Sequence, residues 1–91
     1  MKVIYKYPLE IQDIQRVELP ENFKILSIQR QNAVPCLWVL VDPEESLMTI
    51  DIHLYGTGQP IKFTHLNFIE TFQSHGGALV YHAFWSHSIA D

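Results

Sequence analysis

Residues 68–85 read FIETFQSHGGALVYHAFW, which is the pattern of a β-hairpin. Aromatic and β-branched residues flank residues 74–77, where a Gly-Gly pair tolerates the positive φ angles of a tight turn. The second arm, residues 78–85, is apolar at both alternating sets of positions, so both of its faces need cover. We therefore predict that this hairpin is the centre of the fold and that its second arm is a central strand or an interface strand.

Five segments before the hairpin also have strand patterns, at residues 2–7, 14–19, 24–31, 36–41 and 47–55. In the third, Leu26 and Ile28 are predicted to share one face. The fourth has no polar face and is predicted to lie in the middle of its sheet. Alternation in the fifth predicts one inward set and one outward set of side chains. The inward set is Met48, Ile50, Ile52 and Leu54, and the outward set is Thr49, Asp51, His53 and Tyr55.

The remaining segments are less regular. Residues 61–67 fit neither a strand nor a helix pattern, and residues 86–91 are predicted to be a frayed tail. No segment shows sustained helical periodicity. The sequence therefore predicts an all-β protein, with residues 1–91 forming a single β domain. We expect about seven short, mainly antiparallel strands in a small sandwich or a partly closed barrel, with little or no helix.

Composition narrows the possible partners. The net charge is −4, and the six Lys and Arg residues are scattered along the chain, which disfavours nucleic-acid binding. Aromatic residues make up 12% of the chain, more than one small core usually hides. We therefore expect some of them to line a pocket or an interface between copies, and we expect a homo-oligomer.

Cysteine usage and hydropathy bear on the compartment. The single cysteine, Cys36, lies in an apolar run, so no disulfide forms within the chain and a reducing setting is expected. No window approaches the ~20 apolar residues of a membrane span, and the first residues do not form a signal peptide. These features predict a cytoplasmic protein that does not interact with membranes.

No catalytic or metal-binding pattern stands out. The five histidines lack compact ligand spacing, and a zinc site needs three or four convergent ligands. Cys36 and Ser74 lie in no nucleophile motif, and neither forms a triad pattern with His75. The carboxylates Glu44 and Glu45 lie in a predicted turn. The sequence therefore predicts a protein with no cofactor, no metal and no catalytic residues, although cleavage of a nucleotide signal stays open.

Two glycine turns, at residues 56–58 and 75–77, are candidates for ligand binding. Neither precedes a helix, so neither is a phosphate loop of the usual kinds. One interpretation is that they are simply tight turns. The other is that their backbone N–H groups hold an anion, aided by nearby cations, amides and aromatic faces. The candidate ligand-binding residues are Arg30, Gln31, Trp38, Tyr55, Thr57, Lys62, Gln73, His75, Gly76 and Gly77.

Several blocks of the sequence together suggest a family. They are IYKYP at residues 4–8, KILS at 24–27, PCLW at 35–38, VDP at 41–43, GTG at 56–58, PI at 60–61, TFQ at 71–73 and HGGALV at 75–80. With these blocks the chain resembles a family of short uncharacterised proteins of tailed bacteriophages and prophages. The resemblance implies a viral protein in the cytoplasm of an infected bacterial host, and a possible role against host defence.

Two functions are compatible with these features. The first is a non-enzymatic accessory protein that oligomerises and sequesters a small anionic, nucleotide-like ligand, which would act as a sponge for a defence signal. The second is a structural or protein-interaction module, either a minor virion component or an inhibitor of a host protein, that uses an exposed sheet edge or an aromatic patch.

Overall fold

A computed structural model describes residues 1–88 and contains seven β-strands and one short 3₁₀ turn, at His75–Gly77. The strands are β1 (Val3–Pro8), β2 (Ile14–Pro20), β3 (Lys24–Gln31), β4 (Val34–Val41), β5 (Leu47–Gly56), β6 (Asn67–Ser74) and β7 (Leu79–His87). No α-helix occurs in this part of the chain. The predicted all-β class and the number of strands are confirmed.

The strands form two antiparallel sheets. The three-stranded sheet has the order β1-β4-β3, and the four-stranded sheet has the order β2-β5-β7-β6. The sheets do not close into a barrel, so of the two predicted architectures the sandwich is the observed one. β4 is central, as its wholly apolar run predicts, because it pairs with both β1 and β3. The core lies between the inner faces and contains Leu9, Val17, Leu19, Ile28, Leu37, Val39, Val41, Ile50, Ile52, Leu54, Phe72 and Ala83.

The C-terminal hairpin has the predicted form. β6 pairs with β7, and the turn between them uses Gly76 at φ 66° and Gly77 at φ 92°. β7 also pairs with β5, so it lies inside its sheet and is covered on both edges. The predicted frayed tail is wrong at its start, because β7 extends to His87. Residues 89–91 lie outside the described residues.

A β-bulge corrects the predicted faces of β3. The pairing register with β4 shifts between Ile25 and Ser27, so Leu26 is an extra residue that interrupts the alternation. Ile25 and Ile28 consequently face the core, whereas Leu26 is 44% exposed. The prediction that Leu26 shares a face with Ile28 is therefore wrong, because strict alternation does not account for an inserted residue.

A second bulge, between Phe68 and Glu70, directs a carboxylate inward. Phe72 and Glu70 lie opposite Tyr81 and Ala83 on the inner face, whereas Phe68 lies opposite Phe84 on the outer face. The Glu70 carboxylate accepts a hydrogen bond from the backbone N–H of Ile28, at 2.8 Å. The two sheets are thereby linked at the edges formed by β3 and β6.

The outward set of β5 is only partly exposed. Ile50, Ile52 and Leu54 are buried as predicted, but His53 and Tyr55 on the opposite face are buried as well. The segment between β5 and β6 crosses this outer face, and Phe63 packs against the ring of His53 with centroids 4.9 Å apart. The prediction that His53 and Tyr55 lie on the outer face is confirmed, but a loop without regular structure covers them there, so they are not exposed to solvent.

Candidate functional site

The loop over the outer face begins with a tight turn. Gln59 N–H donates to the carbonyl of Gly56 at 3.1 Å, and Gly56 N–H donates to Oε1 of Gln59 at 2.9 Å. Gly58 has φ 87°, a conformation that favours glycine. The turn sends residues 60–66 back across the four-stranded sheet. The first predicted glycine segment therefore shapes the loop that covers β5.

A cavity of about 530 Å³ lies between this loop and the sheet. Its walls come from β2, β5, β7 and the loop, and they are mainly apolar. The lining residues are Ile14, Asp51, His53, Phe63, Thr64, His65, Leu66, Ser86 and His87. Cavities of this size, with apolar walls and a few polar groups, are typical of small-molecule sites.

His53 is the most unusual residue of the cavity, being only 2% exposed. Its Nε2 shares a hydrogen bond of 2.8 Å with Oγ of Ser86, whereas its Nδ1 is buried and has no partner within the described residues. Burial lowers the pKa of His53 below its ordinary value, and the nearby Asp51 carboxylate opposes this only in part. The ring is therefore neutral at pH 7, and one of its two nitrogens has an unused hydrogen-bonding capacity.

The charges around the cavity are few. Asp51 lines it and pairs with Arg16, whose Nε lies 3.7 Å from Oδ1 of the carboxylate. No lysine or arginine contributes to the lining, as far as residues 1–88 show. The cavity therefore suits a neutral ring with hydrogen-bonding edges better than it suits a phosphate group.

A smaller cavity of about 240 Å³ lies beside the first, and Ile14 and Phe63 contribute to both. It contains two of the predicted ligand-binding residues, Tyr55 and Lys62, together with Asp13, Gln59 and Pro60. Burial raises the pKa of the Tyr55 phenol, with a smaller contribution from Asp13, so the hydroxyl stays protonated and available as a donor. Phe63 thus lies between a cavity that no described lysine or arginine lines and one that is lined by Lys62.

The remaining predicted residues of the four-stranded sheet lie around the two glycine turns. Thr57 Oγ1 is bonded to Nε2 of His82 at 2.8 Å, and Nδ1 of the same ring is bonded to Oγ1 of Thr71 at 2.8 Å. Thr57 also lines an open groove of about 600 Å³ that continues along residues 78–81. The two predicted turns therefore border on one region of the surface.

The turn at residues 75–77 is held by local contacts. His75 Nδ1 lies 3.0 Å from Oγ of Ser74. Oε1 of Gln73 lies 3.3 Å from the position that a Cβ on Gly77 would occupy, so the Gln73 side chain packs closely against this glycine. Gln73, His75, Gly76 and Gly77 thus form one compact unit, and their role in ligand binding stays a prediction.

Three predicted residues belong to the other sheet. Arg30 and Gln31 end β3, and Gln31 Oε1 accepts a hydrogen bond from Nζ of Lys6. Trp38 lies on β4 and donates from Nε1 to the carbonyl of Gln29 at 3.2 Å. The predicted ligand-binding set is therefore divided between the two sheets, and Tyr55 and Lys62 are the members that line a cavity together.

Sequence reasoning missed the residues that build the main cavity, namely His53, Phe63 and Ser86. Outward alternation on β5 placed His53 on the correct face, but nothing in the sequence shows that a loop returns over it. Phe63 lies in the segment without a recognisable pattern. The sequence analysis assigned Ser86 to the predicted tail, although it lies in β7.

Comparisons with known proteins give a family and no activity. The family model described as "Domain of unknown function (DUF7352)" matches residues 1–89. No curated protein and no solved structure matches the chain. Within residues 1–88, no helix is long and apolar enough to cross a membrane. The same residues contain no group of three or more His, Cys, Asp or Glu side chains placed to hold a metal ion.

Proposed function

We propose that this chain, which belongs to the DUF7352 family of domains of unknown function, is a non-enzymatic protein that binds a small nucleotide-like molecule. The observation that carries the proposal is the buried, unpaired Nδ1 of His53 beside a cavity of about 530 Å³. Buried polar groups are nearly always hydrogen-bonded, so an unpaired one beside a cavity indicates a missing partner. Because Nδ1 itself is buried, a ligand that enters the cavity and shifts the covering loop would supply that partner.

The chemistry of the two cavities favours a heteroaromatic ring joined to an anionic group. A ring in the larger cavity would lie beside Phe63 and exchange a hydrogen bond with His53 Nδ1, as nucleobases do in aromatic-lined sites. Lys62 is the cation that lines the adjoining cavity, so a phosphate on the same ligand would point there. Asp13 lines that cavity too, so only a phosphate on the lysine side avoids repulsion.

The resemblance to phage proteins supplies the biological setting of the proposal. Sequestration of a nucleotide defence signal in the cytoplasm of an infected bacterial host requires tight binding and no turnover. An assembly of several copies is part of this proposal. Phe68 is exposed and packs edge-to-face on Phe84 with centroids 5.4 Å apart, which leaves apolar surface on the outer face of the hairpin for another copy.

Thermal unfolding and calorimetry with a panel of nucleosides, nucleotides, ADP-ribose derivatives and cyclic dinucleotides test the proposal. A ligand that binds only the folded protein raises the Tm. Phe63→Ala is expected to weaken binding by about tenfold, because base stacking on an aromatic ring contributes about 1–3 kcal/mol. Ile61→Ala is the matched control, since Ile61 is exposed on the same loop and lines neither cavity.

Lys62→Ala separates the two parts of the proposed ligand. It is expected to weaken binding of a nucleotide and to leave binding of the corresponding nucleoside unchanged. Absence of any heat and any Tm shift across the whole panel would refute ligand binding of this class.

A second candidate function, a structural or protein-interaction module, is favoured by exposed apolar side chains on several strands. Ile4, Leu47 and Phe68 are among the most exposed of them. A stable complex of fixed stoichiometry with one protein, together with no response to the nucleotide panel, would favour this function over ligand sequestration.

A further inference from the structure

β1 exposes apolar side chains on both of its faces. Val3 and Tyr5 lie opposite Val41 and Val39 on the inner face, yet they are 38% and 40% exposed. Ile4 lies opposite Leu40 on the outer face and is 58% exposed. A strand with exposed apolar residues on both faces lacks a neighbour on one side.

The backbone of β1 is open on that side. Within residues 1–88, β1 pairs with β4 and with no other strand. The opposite edge of the same sheet differs, because the Glu70 carboxylate binds the N–H of Ile28 on β3. The free N–H and C=O groups of β1 are therefore the available pairing edge of the three-stranded sheet.

The charged residues of the three-stranded sheet indicate what kind of partner β1 binds. β1, β3 and β4 contain Lys6, Lys24 and Arg30 and no Asp or Glu, although the chain as a whole has a net charge of −4. Lys6 lies on the outer face of β1, opposite Trp38. Its amine donates to Gln31 in an exposed hydrogen bond, and exchanging such a bond for another costs little. Lys24 and Arg30 lie on β3, two strands away from β1, so of these three cations Lys6 is the one that attracts acidic groups to the free edge.

We propose that β1 binds an extended segment of another protein as an added strand. In this arrangement apolar side chains of the segment pack on Val3 and Tyr5, and acidic side chains on its other face approach Lys6. Main-chain hydrogen bonds supply affinity and the alternating side chains supply specificity. The inference deepens the protein-interaction function proposed above and does not depend on nucleotide binding.

A second copy of the chain fits this edge less well. When two β1 strands pair antiparallel with their outer faces on the same side of the joined sheet, Lys6 of one copy lies directly opposite or diagonal to a lysine of the other. Like charges in these positions destabilise strand pairing. Lysine on an edge strand is a common device against such self-association. An acidic segment of a different protein removes the repulsion.

The test uses a fluorescent synthetic peptide that alternates Glu and Val. We expect binding in a fluorescence anisotropy titration, together with slower hydrogen exchange at the β1 amides. The same peptide with a central proline is expected not to bind, because proline interrupts the ladder. Nucleotide binding is measured separately on the same sample, so failure of one proposal is distinguished from failure of the other.

A charge exchange tests the role of Lys6. Lys6→Glu is expected to weaken binding of the Glu-Val peptide by about tenfold and to strengthen binding of a Lys-Val peptide. Lys24→Glu is the matched control. Lys24 lies about three strand spacings, roughly 14 Å, from the added strand, whereas Lys6 lies one spacing away. At physiological salt this distance exceeds the Debye length of about 8 Å.

Three results would overturn the proposal. The first is no binding of the Glu-Val peptide, and the second is equal binding of the proline peptide. The third is a dimer in which the β1 amides are already protected, which would make a second copy the occupant of this edge.

Discussion

Replacing Glu70 is expected to weaken the attachment of one sheet to the other. The Glu70 carboxylate accepts from the N–H of Ile28 at 2.8 Å in a part-buried hydrogen bond, and Ile28 is only 1% exposed, so water replaces the lost acceptor only in part. Hydrogen bonds to charged groups contribute about 1.5–3 kcal/mol. We therefore expect Glu70→Ala to lower the free energy of unfolding by about 2 kcal/mol, and Glu70→Gln, which keeps a carbonyl acceptor, by about half as much.

Urea unfolding at neutral pH measures this loss as a lower midpoint with an unchanged slope. Hydrogen exchange at Ile28 adds a local measurement, because its amide should lose protection more than the amides of β5. Glu18→Ala is the matched control, since Glu18 is an exposed carboxylate on β2, and we expect it to change stability by less than about 0.5 kcal/mol. Equal effects of Glu70→Ala and Glu18→Ala would refute the conclusion that this carboxylate links the sheets.

Two further predictions concern the loop and the cavity. Gly58→Ala is expected to destabilise the protein by about 1 kcal/mol, because Gly58 has φ 87°. Gly56→Ala should be nearly neutral, since its Cβ would meet only Gln59 Oε1 at 3.9 Å. Equal urea midpoints for the two variants would contradict this prediction. Burial holds the pKa of His53 in the folded protein below its ordinary value of 6.5, so the unfolded chain takes up the proton first as the pH falls. The stability that His53 contributes is therefore present above about pH 6.5 and is lost as the pH falls toward the folded-state pKa. Urea midpoints measured from about pH 8 to about pH 5 should therefore fall less steeply for His53→Gln than for the unchanged protein, and identical slopes would exclude His53 as the titrating group.

The parts of the fold that the sequence predicts are those governed by side-chain alternation. The β6–β7 hairpin and the central position of β4 follow from apolar runs and a glycine turn, which are local signals. The bulge at Leu26 carries no such signal, because one inserted residue changes the faces of a strand without changing its composition. Reasoning from alternation alone therefore placed Leu26 on the wrong face of β3.

The cavity was harder to predict, because it depends on how a loop crosses a sheet. Tyr55 and Lys62 were predicted as ligand-binding residues and do line one cavity together. His53 and Phe63 are separated by the Gly56–Gln59 turn, and only the three-dimensional path of residues 60–66 brings their rings within 4.9 Å. Arg30 and Trp38 were assigned by chemical type to the same set as Tyr55 and Lys62, although they lie on the three-stranded sheet and the other two line a cavity beside the four-stranded sheet.

The hydrogen bonds of His82 have a consequence for how the covering loop is attached. The ring of His82, on β7, bridges the hydroxyl of Thr57, the first residue after β5, and the hydroxyl of Thr71 on β6. One side chain therefore ties the start of the loop to both strands of the C-terminal hairpin. Movement of the cover over the cavity is thus confined to the residues beyond this attachment point.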